Sequence, residues 1–82
     1  MAGWHLTEIT KGNLGAPSKI LEECEEFLDA CDQELPILIL WELSDLIGAI
    51  DAYLKQFHPS ISIEDLINHA KKNSQMFKDG VR

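Results

Sequence analysis

Two pairs of carboxylates in this chain have the spacing of a metal site. Glu23 and Glu26 are three residues apart, and so are Glu42 and Asp45. On a helix, residues with this spacing lie about 60° apart around the axis and can converge on one point. Carboxylate oxygens are the ligands that hard ions such as Mg²⁺ and Mn²⁺ prefer. The pairs therefore predict a divalent-cation site between two helices.

Electrostatic repulsion supports this interpretation. At about 5 Å and an effective dielectric constant near 20, each pair of negative charges repels by roughly 3 kcal/mol. A domain with a total stability of about 5–15 kcal/mol cannot easily hold four such charges together without a cation. The competing interpretation, acids that only solvate a helix face, is our prediction for the other acids nearby. These are Glu25, Asp29, Asp32, Glu34 and Asp51.

Two other kinds of acidic metal site do not fit the sequence. A di-iron carboxylate site requires Glu-x-x-His pairs, and the chain has none. An EF-hand requires a loop of the type D-x-D-x-D-G, which is also missing. The sequence therefore favours a site in which two helices supply all the protein ligands.

The spacing of apolar residues predicts three helices to position these acids. The first is predicted over residues 18–33 with Ser18 as its N-cap, and the second over 36–57, opened by a proline. The third is predicted over 63–78, with Ser62 and Asp65 as a capping box. Residues 1–17 show no sustained helical or strand periodicity of apolar residues and are predicted to form an N-terminal arm. Since strand-type alternation is missing, the fold class is predicted to be all-α.

Apolar residues cover more of the helices than one small subunit can bury. The first helix has one apolar stripe, expected to face the core: Ile20, Leu21, Cys24, Phe27, Leu28 and Cys31. The second has a broad apolar face: Ile39, Leu43, Leu46, Ile50, Tyr53, Leu54 and Phe57. Leu38 and Trp41 point elsewhere. We therefore expect a homo-oligomer, a dimer or a tetramer, in which the three-helix subunit completes a four-helix-type bundle.

Length and charge restrict the remaining possibilities. The chain has 82 residues, which corresponds to one domain, and a formal net charge of −7. That charge argues against a nucleic acid polymer or an anionic membrane surface as partner. The sequence opens with no recognisable signal peptide and contains no apolar run of membrane-spanning length. A soluble, cytoplasmic protein is therefore expected.

The carboxylate pairs belong to a longer pattern that resembles the MazG-like all-α nucleoside triphosphate pyrophosphohydrolases. The signature of that family is E-E-x-x-E, a spacer and then E-x-x-D. The first half is matched within K-I-L-E-E-C-E-E-F-L-D-A, residues 19–30, and the second within W-E-L-S-D-L-I, residues 41–47. Fifteen residues separate the two half-motifs, and the whole match covers about residues 18–57.

The resemblance implies a reaction and a set of roles. Members of the family hydrolyse a nucleoside triphosphate, NTP or dNTP, between the α- and β-phosphates and release a monophosphate and pyrophosphate. The resemblance implies Mg²⁺, with Mn²⁺ as a substitute, held by the four paired acids. Glu22 completes the first half-motif and is implied to be either a supporting group or the catalytic base that orients the attacking water.

The resemblance also implies residues that bind the substrate. Phosphate-binding cations are expected among basic residues near the acids and near the C-terminus: Lys19, Lys72, Lys78 and Arg82. The alternative for the C-terminal group is a solvated helix end. Four residues could contact a nucleobase, although side chains of these types more often lie in the core or an interface: Trp4, His5, Trp41 and Tyr53. Because the chain is short, residues of a partner subunit are candidates to complete the site.

Two alternatives to this enzyme remain open at the level of sequence. One is a catalytically inert helical interaction module whose acidic face binds a basic protein. The other is an enzyme similar to the phosphoribosyl-ATP pyrophosphohydrolases, which share the fold and a comparable acidic pattern. The first treats the motif spacing as chance, whereas the second changes only the substrate.

Overall fold

The computed structural model describes residues 5–78 and Gly80, and it contains three α-helices. Helix α1 spans Pro17–Gln33, α2 spans Pro36–Phe57 and α3 spans Ile63–Lys78. No strand occurs in the described part of the chain, so the all-α prediction is confirmed. Among these helices none combines the length and the apolar character needed to cross a membrane.

The start of α1 differs from the sequence prediction. Its N-cap is Ala16 and its first residue is Pro17, so the predicted N-cap at Ser18 is wrong. Proline suits this position because its fixed φ is already helical and the first N–H groups of a helix have no partner within it. The Ser18 hydroxyl oxygen instead accepts a hydrogen bond from the backbone N–H of Asn13 at 3.0 Å. The serine therefore fixes the arm beside the helix.

Helix α3 begins with the predicted capping box. The Ser62 N–H donates to Asp65 Oδ2 at 3.0 Å, and the Asp65 N–H donates to Ser62 Oγ at 3.1 Å. These bonds satisfy two backbone donors that a helix start otherwise leaves without partners. The reciprocal pair explains why the helix begins directly after Ser62.

A short connection makes α1 and α2 an antiparallel pair. Only residues 34 and 35 separate the two helices. Glu34 adopts the left-handed conformation, with φ of 56°, and its N–H donates to the Cys31 carbonyl oxygen. Helix α3 packs against α2 and, among the described residues, makes no contact with α1. The α1–α2 pair is therefore the part of the fold that positions the acids.

The buried side of α1 is its acidic side. The predicted burial of the apolar stripe is wrong for Leu21 and Leu28, which are 61% and 59% exposed. The residues of α1 that are buried are mostly acids: Glu22, Glu23, Glu26, Asp29 and Ala30. The reason is that α2 and the N-terminal arm both pack on the acidic side. Within one chain, several large apolar side chains of both helices face outward, whereas Leu54 of α2 is buried.

The N-terminal arm is held along α1 by carboxylates. Asp29 accepts hydrogen bonds from the Leu6 N–H at 2.9 and 3.0 Å and from the Thr7 N–H at 2.9 Å. At the other end of the arm, the Gly12 N–H donates to Glu22 Oε1 at 2.8 Å. The arm therefore runs antiparallel to α1. The prediction that Asp29 only solvates its helix is wrong, because its oxygens satisfy backbone groups of the arm.

These hydrogen bonds predict how the arm responds to acid. Burial raises the pKa of Asp29, but bonds from Leu6, Gln33 and Thr7 outweigh it and lower the pKa to about 2. The contribution of Asp29 to stability is therefore complete above the ordinary pKa of 3.8 and is lost as the pH falls through about 2. We expect the Leu6 and Thr7 amides to stay protected from hydrogen exchange at pH 4.

The matched substitutions are Asp29→Ala and Asp32→Ala, since Asp32 is an exposed acid on the same helix. Asp29→Ala should remove the protection of the Leu6 and Thr7 amides, and Asp32→Ala should leave it unchanged. Equal protection in both variants, measured by NMR hydrogen exchange, would show that Asp29 does not hold the arm.

Gly12 is expected to be sensitive to any side chain. A Cβ built on Gly12 would clash with the Ser18 carbonyl oxygen, so Gly12→Ala forces the backbone of the arm or of α1 to move. We expect a loss of about 1–3 kcal/mol in the free energy of unfolding. Gly48 is the control, because it lies in α2 with open space at its Cβ position. Gly48→Ala should stabilise the protein by about 0.5–1 kcal/mol in urea unfolding, and similar effects of both variants would contradict this account.

Candidate metal centre

The packing of α1 on α2 brings the predicted ligands together. Glu23 lies opposite Glu42 and Asp45, and one oxygen from each of the three carboxylates lies within 4.8 Å of the others. Glu22, Glu23 and Glu26 form a second group that meets the same limit. Glu26 is also within hydrogen-bonding reach of Glu23 and Glu42. Glu23 belongs to both groups and is therefore the centre of the carboxylate cluster, defined as these five residues.

Two oxygens of the carboxylate cluster are buried and have no hydrogen-bond partner in the described part of the chain. Glu23 is 5% exposed and Glu42 is 8% exposed, whereas Asp45 is exposed. Glu23 Oε2 and Glu42 Oε2 accept no hydrogen bond from any group within residues 5–78 and Gly80. Buried polar groups are normally hydrogen-bonded, and buried charges are normally paired or bound to a metal. A divalent cation fits the two orphaned oxygens and the all-oxygen donor set.

Two acids of the carboxylate cluster, Glu23 and Glu42, have raised pKa values. Burial, followed by the hydrogen bond and the charge of Glu26, raises the pKa of Glu23 to about 7, although Lys19 opposes the rise. Burial also raises the pKa of Glu42, helped by the charges of Asp45 and Glu23. A bound cation would reverse this effect by favouring the charged carboxylates.

Glu22 has a different environment from Glu23. Besides the Gly12 N–H, Glu22 Oε1 accepts a hydrogen bond from Lys19 Nζ at 3.2 Å, and Glu22 Oε2 lies 3.7 Å from Lys11 Nζ. Burial raises the pKa of Glu22, but the Gly12 hydrogen bond and the two lysines outweigh it and lower the pKa overall. Glu22 is therefore a buried, ionised acid with partners for both oxygens.

Lys19 joins the carboxylate cluster to an open groove. Its Nζ lies 3.4 Å from Glu23 Oε1. Burial lowers the pKa of Lys19, but Glu22 and Glu23 outweigh it and raise the pKa, so the ammonium group stays charged. The groove has a volume of about 450 Å³ and is lined partly by small residues of α2. Its lining is Leu14, Lys19, Glu23, Ser44, Asp45, Gly48 and Ala49.

No family model, curated protein or solved structure matches the chain.

Two other predicted substrate-binding cations, Lys72 and Lys78, lie apart from α1. Lys72 and Lys78 are exposed on α3, which packs against α2 alone within the described residues. Arg82 and Trp4 lie outside the described residues, so the predictions made for them stay predictions. Of the predicted cations within the described residues, Lys19 is the one that lies against the carboxylates.

The remaining candidates for a base pocket have other surroundings. Trp41 lies on the exposed surface of α2. The Tyr53 ring lies 5.0 Å from the Phe57 ring and 5.7 Å from the His58 ring, measured between centroids. Neither residue lines the groove beside Lys19.

Sequence reasoning missed the contribution of the arm to the site. His5 Nε2 lies 3.2 Å from Glu26 Oε1, and Gly12 binds Glu22. A signal was present in the spacing, because Glu22, Glu26 and Asp29 occupy one stripe of α1 at i, i+4 and i+7. Three acids on one buried stripe require polar partners, and the arm supplies them.

Proposed function

We propose that the protein is a cytoplasmic, Mg²⁺-dependent nucleoside triphosphate pyrophosphohydrolase of the MazG-like kind, which converts NTP or dNTP and water to NMP and pyrophosphate. The observation that carries the proposal is a pair of buried oxygens at the contact between α1 and α2, Glu23 Oε2 and Glu42 Oε2, which have no hydrogen-bond partner among the described residues. The similarity of the two half-motifs to the family signature supplies the substrate class.

The metal would be held by the four paired acids, Glu23, Glu26, Glu42 and Asp45. An all-oxygen set suits Mg²⁺ or Mn²⁺. When bound, the cation neutralises phosphate charge and lowers the pKa of a coordinated water. The acids of α1 and α2 fix the position of the cation relative to the groove, where the triphosphate would lie.

Lys19 and Glu22 have complementary roles in this proposal. Lys19 Nζ, at the edge of the groove, binds a phosphate oxygen of the substrate. Glu22 orients Lys19 and holds Gly12 of the arm, since its Oε1 accepts hydrogen bonds from both at 3.2 and 2.8 Å and its Oε2 lies 3.7 Å from Lys11 Nζ. Of the two roles predicted for Glu22, we therefore assign positioning and not that of the base.

A second copy of the chain is part of the proposal. Large apolar side chains that one chain leaves exposed would be buried in a homodimer that completes a four-helix bundle. They include Leu21, Leu28, Ile37, Leu40, Trp41 and Ile47. The partner would also bring a second α3, whose lysines are candidates to reach the substrate.

The oligomer is tested by light scattering coupled to size exclusion. We expect the wild-type chain to be a dimer or larger at micromolar concentration and Leu40→Lys to be a monomer, because a charge in an apolar interface is strongly unfavourable. Glu25→Lys, at an exposed acidic position, should leave the mass unchanged. A monomeric wild-type protein would contradict the proposal that the chain forms a homo-oligomer.

The function is tested by pyrophosphate release with Mg²⁺ across a panel of ribo- and deoxyribonucleoside triphosphates and phosphoribosyl-ATP. Turnover of one or more of the triphosphates supports the proposal. Turnover of phosphoribosyl-ATP alone would favour the related enzyme instead. No turnover, together with no thermal stabilisation by Mg²⁺ or Mn²⁺, would contradict the proposal and favour the inert acidic module.

A further inference from the structure

One nitrogen-bearing side chain lies at the edge of the carboxylate cluster. The imidazole of His5, on the N-terminal arm, is only 10% exposed. Its Nε2 lies 3.2 Å from Glu26 Oε1, and its Nδ1 lies 3.9 Å from Asp29 Oδ1. Neither nitrogen has a hydrogen-bond partner among the described residues. A buried imidazole without a hydrogen bond requires an explanation.

The position of His5 is fixed by the residues that follow it. The Leu6 and Thr7 N–H groups both donate to Asp29, and the Thr7 hydroxyl donates to Asp29 Oδ2 at 3.0 Å. Asp29 is itself held by the Gln33 amide at 2.7 Å. The arm therefore presents the imidazole to Glu26 through a well-anchored backbone.

The distance between His5 and Glu26 fits two ligands of one ion. Adjacent ligands of an octahedral cation, each about 2.1 Å from the metal, are separated by roughly 3 Å. The Nε2–Oε1 distance of 3.2 Å is close to that value, although the contact does not have the geometry of a hydrogen bond. The unpartnered nitrogens are thus compatible with coordination.

We infer that His5 is a nitrogen ligand of the metal centre, supplied by the N-terminal arm, and that it makes the site prefer Mn²⁺ to Mg²⁺. This inference rests on the proposed metal site. Imidazole nitrogen binds first-row transition ions better than Mg²⁺, which prefers oxygen and water. Mg²⁺ would use the carboxylates alone, whereas Mn²⁺ would use the carboxylates and His5.

The test is pulsed electron paramagnetic resonance of Mn²⁺ bound to the full-length chain. This method detects an imidazole ¹⁴N nucleus coupled to the metal. We expect that coupling in the wild-type protein and its loss in His5→Ala. His69→Ala is the matched control, because His69 is exposed on α3, and it should keep the coupling.

Affinity provides a second readout. His5→Ala should raise the Kd for Mn²⁺ at least about tenfold and change the Kd for Mg²⁺ less than about twofold. Asp29→Ala should weaken the nitrogen coupling as well, because it releases the arm without removing the imidazole. Circular dichroism checks that both variants keep their helices.

The outcomes separate this inference from the proposed function. Saturable Mn²⁺ binding without a nitrogen coupling in the wild-type protein, or a coupling that survives in His5→Ala, would overturn the role of His5 and leave the carboxylate site standing. Failure of the wild-type chain to bind Mn²⁺ at all would overturn both.

Discussion

Glu42→Gln is expected to abolish Mg²⁺-dependent pyrophosphate release while leaving the metal-free protein as stable as the wild type or more so. Glu42 is buried, and its Oε2 has no partner in the described part of the chain. Burial and the charges of Asp45 and Glu23 already raise its pKa, so the ionised form is unfavourable without a cation. The amide keeps the shape of the side chain but removes that charge.

We expect a loss of at least about a hundredfold in activity, since the change removes a metal ligand. The melting temperature of the metal-free protein should stay equal or rise. Asp45→Asn should reduce activity in the same way. The control is a comparison of Glu25→Gln with Glu26→Gln: Glu25 is exposed, so its substitution should be silent. Equal losses of activity in Glu25→Gln and Glu26→Gln would show that the side of α1 assigned to the metal ligands is wrong.

The second large effect is the pH dependence of the metal-free protein, which depends on Glu23. Its pKa is raised from 4.5 to about 7 by burial and by Glu26. Between these values the folded protein binds more protons than the unfolded chain, so its stability falls as the pH rises from 4.5 to about 7. The same deprotonation frees the ligand, so the affinity for Mg²⁺ should rise over that interval.

Thermal unfolding from pH 5 to pH 8, with chelator and with Mg²⁺, measures both effects. For the wild-type protein we expect the metal-free melting temperature to fall with pH and the stabilisation by Mg²⁺ to grow. Glu23→Gln should flatten the metal-free profile and remove the response to Mg²⁺, whereas Glu25→Gln should keep both. A Glu23→Gln profile that matches the wild type would contradict the assignment of this titration to Glu23.

The sequence was informative where a local rule determines the structure. Pro36 marks the start of α2, and the Ser62–Asp65 capping box marks the start of α3. The start of α1 was misjudged because Ser18 is a good N-cap by type, but Pro17 already occupies the first helical position. Local preferences compete at such a boundary, and the proline constrains the backbone more strongly.

The periodicity of apolar residues did not indicate which side of α1 packs against the rest of the chain. It separated an apolar stripe from acidic faces, and the apolar side was expected to be inside. Within one chain the acidic side is inside, because α2 and the arm pack there, and Leu21 and Leu28 stay exposed. The hydrogen bonds of Asp29 could not be predicted either. The arm has no repeating pattern of apolar residues, so the sequence does not indicate where its backbone N–H groups lie.

The candidate site was more predictable than its surroundings. The i, i+3 spacing of the two carboxylate pairs predicted that Glu23 lies near Glu42 and Asp45, because helical geometry fixes the angle between such residues. The neighbours of the cluster depend on how the arm folds back, which is a tertiary feature. The contact of His5 with Glu26 and the contacts of Glu22 with Gly12 and Lys11 therefore came only from the structure.

Calorimetric titration of the full-length chain with Mg²⁺ and Mn²⁺ near neutral pH tests most directly whether the carboxylate cluster holds a divalent cation. We predict saturable binding that releases protons, since Glu23 has a pKa of about 7 and must ionise to bind. Glu42→Gln should abolish that binding and Glu25→Gln should preserve it. No saturable binding by the wild-type protein, or unchanged binding by Glu42→Gln, would contradict the account.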